Sequence, residues 1–87
     1  MSKYLKILNI IIFQSFIFGQ TITGSVTDRI TNGNLDGVNI TIQGTSQGTS
    51  TDSEGVFTID ISGISKDQIV KFQHIGYDEL SVPLDSL

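Results

Sequence analysis

Residues Gly44 to Ile61 read GTSQGTSTDSEGVFTIDI. The pattern predicts a β-hairpin. A Thr/Ser-rich strand over Gly48–Asp52 meets the turn Asp52-Ser53-Glu54-Gly55 and returns as Val56–Ile61. Asp favours such turns by bonding its own backbone, and Gly supplies a positive φ. The returning strand alternates, with Phe57, Ile59 and Ile61 on one face and Thr58 and Asp60 on the other. A strand with one apolar face must bury that face on another layer.

The same period runs outward from this stretch. Upstream, Val38, Ile40 and Ile42 alternate with Asn39, Thr41 and Gln43 before Gly44 stops the strand. Asp36-Gly37 precedes them as a turn, and Leu35 plugs one end of the core. Further back, TITGSVTD over Thr21–Asp28 places Ile22, Gly24 and Val26 on one face. A glycine inside a strand marks a bulge or a close approach of backbone. Asn32-Gly33 is a turn signal in the loop that follows. Downstream, Gln68–Ile75 puts Val70, Phe72 and His74 on one side, and Gly76 breaks the run. Tyr77–Leu84 is the last expected strand, with Leu80, Val82 and Leu84 in register. Pro83 cannot donate to a ladder, which places this strand at an edge or Pro83 near its end.

The sum is an all-β chain with about six to seven strands, arranged as an antiparallel sandwich. The expected core is Val38, Ile40, Ile42, Phe57, Ile59, Val70, Phe72 and Leu80. The expected structural turns and breaks are Gly24, Gly37, Gly44, Asp52, Gly55 and Gly76. With 87 residues there is room for one small domain.

The first nineteen residues read differently. Lys3 and Lys6 lie ahead of the apolar run ILNIIIFQSFIF over Ile7–Phe18, and small Gly19 follows. This is the layout of a secretory signal helix with cleavage after Gly19, or after Gln20. The run is shorter than the ~20 residues of a membrane span. Ile17 is larger than the Ala usual near such a junction, so an uncleaved anchor is the second reading. A strand or helix of the fold is disfavoured here, because nothing in the run alternates or shows a polar face. The expected division is therefore a signal peptide over 1–19 and a β-sandwich domain over 20–87.

Composition excludes several functions. The chain has no Cys, which removes disulfides, lipid attachment at Cys and Cys-based chemistry. Residues 20–87 hold three basic and nine acidic side chains, a net charge of −6. That balance disfavours nucleic acid. His74 is the lone histidine, too few for a catalytic zinc site or a Ser-His-acid triad, and it reads as a packing residue. Asp52–Gly55 is too tight for a calcium loop. Gly44–Ser50 lacks both the Lys and the following helix of a phosphate loop. Phe57, Phe72 and Tyr77 read as core aromatics, with sugar stacking by Tyr77 as the alternative. No catalytic residue, cofactor or metal is expected.

Four pieces in this order, Thr21–Asp28, Leu35–Ile40 (LDGVNI), Gly44–Phe57 and His74–Tyr77 (HIGY), resemble the carboxypeptidase regulatory-like domain, a transthyretin-like sandwich. The resemblance covers nearly all of Thr21–Leu84. It implies a non-catalytic module, commonly placed behind the signal peptide of exported proteins of Bacteroidetes-like bacteria. Typical hosts are TonB-dependent outer-membrane receptors, where the module precedes plug and barrel. Two departures stand out. Asp36 replaces the Pro usual before the second Gly-turn, and relatives continue into one more strand where this chain ends at Leu87. A truncated domain with an open edge near Tyr77–Leu87 is therefore expected.

The leading expectation is an accessory or interaction domain of an envelope receptor, in the periplasm, outer membrane or cell surface of a Gram-negative cell. Its partner would be an envelope protein or the rest of a longer polypeptide. Contact with membrane would come only through the signal peptide or a downstream barrel. A secreted carbohydrate- or polymer-binding domain and an accessory domain of a secreted peptidase are the alternatives.

Overall fold

The computed structural model describes residues 8–14, as backbone, and residues 20–87. It is an all-β sandwich, as the alternation predicts. The strands are β1 (Leu8–Gln14), β2 (Thr21–Asp28), β3 (Asn39–Ile42), β4 (Gly48–Ser50), β5 (Val56–Asp60), β6 (Ile69–Gln73) and β7 (Leu80–Pro83). One sheet has the order β1-β2-β5 and the other β4-β3-β6-β7, and every pairing is antiparallel. A short 3₁₀ turn, η1 (Leu84–Ser86), follows β7.

The inward-facing apolar residues meet between the sheets. Val26, Val38, Ile40, Ile42, Phe57, Ile59, Val70, Phe72 and Leu84 are buried. Register explains the layers: Ile40 lies opposite Phe72, and Val70 lies between Ile42 and Val82. Phe57 from one sheet meets Phe72 from the other edge to face, with ring centroids 6.0 Å apart. Gly24 is a strand residue rather than a turn. It sits opposite Phe57 and beside a register shift in β1 between Ile12 and Gln14. Leu80 is half-buried instead of core, because edge strand β7 has one neighbour and water on its other side. Leu84 is buried, but in the 3₁₀ turn rather than on β7.

The hairpin reading of Gly44–Ile61 needs correction. The turn is tight: Gly55 N–H donates to Asp52 O at 2.9 Å, and Asp52 N–H donates to Val56 O at 3.0 Å. Yet β4 pairs with β3 and β5 pairs with β2, so the chain passes from one sheet to the other. Thr51 drives the split. It is buried, its Oγ1 donates to Leu35 O at 2.6 Å, and it accepts from Val38 N–H at 2.9 Å. Its backbone also bonds Val38 and Gly37. The incoming strand is thereby committed to β3, and β5 is left to β2.

Leu8–Gln14 runs as extended backbone against β2. Ile10, Ile11 and Ile12 carry the β-branched stiffness that favours a strand once an edge is available. The expected cleavage junction at Gly19 and the rest of 1–7 and 15–19 lie outside the described residues.

Candidate functional site

One end of the sandwich gathers the polar side chains with the most specific geometry. β2 ends on Asp28, a buried carboxylate. Its Oδ1 accepts from the N–H groups of Ile30 and Thr31, at 2.8 and 3.0 Å. This shapes the loop that Asn32, at φ 65°, turns back into the fold. The Asp28 Oδ2 accepts from the Tyr77 hydroxyl at 2.6 Å. A buried carboxylate needs such donors, since an unpaired one is costly. The bond to Asp28, then burial, then the negative charge of Asp28 raise the Tyr77 phenol above its ordinary value.

Tyr77 belongs to the turn His74-Ile75-Gly76-Tyr77, closed by Tyr77 N–H to His74 O at 3.1 Å, with Gly76 at φ 88°. The His74 ring packs edge-on against Tyr77, centroids 5.3 Å apart. One ring nitrogen lies 2.9 Å from Ile75 O and the other 3.0 Å from Asp36 O. His74 is thus half-buried just past the end of β6, tying this turn to the Asp36-Gly37 turn. Gly37, at φ 78°, donates its N–H to Thr51 O.

Between these turns lies an open cleft of about 570 Å³. Asp36, Asn39, Gln73, His74, Tyr77 and Glu79 line it, together with Ile75, which is 93% exposed. Glu79 pairs with Lys71 at 3.5 Å on the outer face of the sheet. Asp36 and Glu79 make the lining of the cleft acidic, and His74 in its wall bonds two backbone carbonyls. Asp28 and His74 hold turn backbone, and Tyr77 ties its turn to Asp28; none of these bonds sets a nucleophile against a base. Among the described residues, no group of three or more His, Cys, Asp or Glu is placed to hold a metal.

The other sequence candidates resolve as turn chemistry. Asp52 Oδ1 accepts from the N–H groups of Glu54 and Val56, at 2.9 and 3.0 Å, so this carboxylate caps the turn. In the Gly-rich loop, Thr45 Oγ1 donates to Ile42 O and accepts from Gln47 N–H, with Gly44 at φ 82°. Those groups serve the loop itself. Two partners carry little mark in the residue pattern. Asp28 has only the signal of an acid closing a strand ahead of an Asn-Gly loop. Thr51 has none, because its role depends on Leu35 and Val38, 16 and 13 residues away.

A family model described as CarboxypepD_reg-like domain matches residues 22–86. Comparison with curated proteins and with solved structures returned no match.

Proposed function

Because the chain belongs to the CarboxypepD_reg-like domain family, whose domain is a non-catalytic β-sandwich module, we propose that it is exported and serves as the N-terminal accessory domain of a TonB-dependent outer-membrane receptor. The observation that supports this reading is placement. The family match opens at residue 22, just behind two lysines, a twelve-residue run with nine apolar side chains, and Gly19. The net charge of −6 over residues 20–87 suits a soluble envelope domain. Such a module acts by presenting a folded surface or a sheet edge to an envelope protein or to its own downstream chain.

Two measurements test it. The full chain is expressed in a Gram-negative host and the periplasmic product is weighed. Loss of residues 1–19 or 1–20 is expected, and an unprocessed chain retained in the cytoplasm overturns export. The gene is then read beyond the Leu87 codon, where plug and barrel sequences are expected. A stop codon followed by unrelated sequence overturns the receptor context.

A further inference from the structure

We propose that the long edge of β2 is a strand-acceptor site, which takes an extended, uncharged, β-branched segment of another polypeptide as an antiparallel partner. The proposal rests on the export reading above, in which residues 1–19 leave the mature domain.

Backbone direction marks the site. In an antiparallel ladder, the N–H and C=O of one residue face the same neighbour, and the side alternates along the strand. Val26 turns both groups inward: its N–H donates to Gly55 O at 2.8 Å, and its C=O accepts from Leu35 N–H at 3.1 Å. Thr23, Ser25 and Thr27 therefore face the other way, toward β1, where Ser25 lies opposite Ile11 and Thr27 opposite Asn9. Loss of β1 leaves these three residues without a ladder and reduces the sheet to β2 and β5.

The remaining edges of the sandwich are guarded in ways β2 is not. β7 ends on Pro83, which has no donor; β4 is three residues long; β5 carries Asp60. Short strands, prolines and charges blunt an edge against pairing. β2 runs eight residues and is uncharged from Thr21 to Thr27, with no proline. Sheets this small also gain from a third strand.

The chemistry of the partner is read from the strand already seated there. Leu8–Gln14 has no charge, holds three consecutive isoleucines and pairs antiparallel along β2 from Asp28 to Thr23. A segment of that kind has high strand propensity and recruits main-chain bonds for affinity.

The test uses the processed periplasmic protein and a peptide carrying the sequence of residues 8–14 between flanking lysines. Amide hydrogen exchange is read residue by residue, and mass by analytical ultracentrifugation. In the processed protein alone, Thr23, Ser25 and Thr27 amides are expected to exchange fast while Val26 stays protected. Saturating peptide is expected to slow those three by about tenfold or more and leave Val26 unchanged. The Ile11→Pro peptide, which lacks a donor facing Ser25, is expected to give no protection. Processed protein with no peptide effect, or equal protection by the proline peptide, overturns the site alone. A dimer that already protects these amides and excludes peptide assigns the edge to a second copy and also overturns it. An unprocessed N-terminus, seen by mass before any exchange is measured, overturns the export reading and the site together.

Discussion

Tyr77 and Asp28 form the longest-range side-chain bond among the described residues, linking positions 49 apart. A hydrogen bond to a buried carboxylate contributes about 1.5–3 kcal/mol. Tyr77→Phe is accordingly expected to lower the melting temperature by on the order of 10 °C in a domain this small, read by circular dichroism. The pH dependence has a definite sign. The folded phenol holds its proton more tightly than the unfolded one, because it donates to Asp28. Its stabilisation is complete below about pH 10 and is lost as pH rises through the higher folded value. Denaturant midpoints of the natural chain and of Tyr77→Phe should therefore differ most below about pH 10 and converge as pH rises through the higher folded value. A gap that stays constant to the alkaline limit would show that the bond is not the source.

At the scale of elements, the turn between β4 and β5 carries two separable constraints. Gly55 is buried at φ 76°, and a Cβ there would meet Val26 O at 2.7 Å. Gly63 has a similar φ of 71° with nothing within 4 Å. Gly63→Ala is expected to cost about 1 kcal/mol of left-handed strain, and Gly55→Ala clearly more, on the order of 2–4 kcal/mol. Urea unfolding of the two variants side by side checks this, and equal losses would contradict the close approach. Thr51→Val keeps the shape but strips Val38 N–H and Leu35 C=O of their partner, for an expected loss of about 1–3 kcal/mol. Thr51→Ser, which restores the hydroxyl, should recover most of it in the same assay. The turn itself was legible from Asp52 and Gly55, whose chemistry is local. The parting of β4 from β5 was not, because it depends on where Thr51 finds Leu35 and Val38.

For the molecule as a whole, the two sheets are joined by a thin core. A domain of this size, matched over residues 22–86, carries a total stability of roughly 3–10 kcal/mol. Phe72 is fully buried and meets Phe57 across the sandwich. Phe72→Ala is expected to cost about 3–5 kcal/mol, enough to leave a large unfolded fraction at 37 °C by near-ultraviolet dichroism. Leu80→Ala, at the half-buried edge, should cost clearly less. An equal loss for the two would place the core elsewhere. The same thinness makes edges consequential. The sequence directs attention to the edge near Tyr77–Leu87, and β7 is indeed an edge strand. Under the export reading proposed above, in which residues 1–19 are removed, the unguarded edge is β2 instead.

What the amino-acid pattern alone determined is the run of strands from β2 to β7 and, on β3, β5 and β6, the face each buries. Alternation is a two-residue property, and the glycines at 37, 44, 55 and 76 all adopt the positive φ expected of turn and break positions. Val38, Ile40, Ile42, Phe57, Ile59, Val70 and Phe72 fall in the core for that reason. Tertiary structure alone decided which strands become neighbours, that Asp28 receives Tyr77, and that Leu8–Gln14 lies along β2. Those outcomes depend on hydrogen bonds between residues far apart in the chain. No local period encodes them, because a strand's backbone offers the same donors and acceptors to any partner that reaches it.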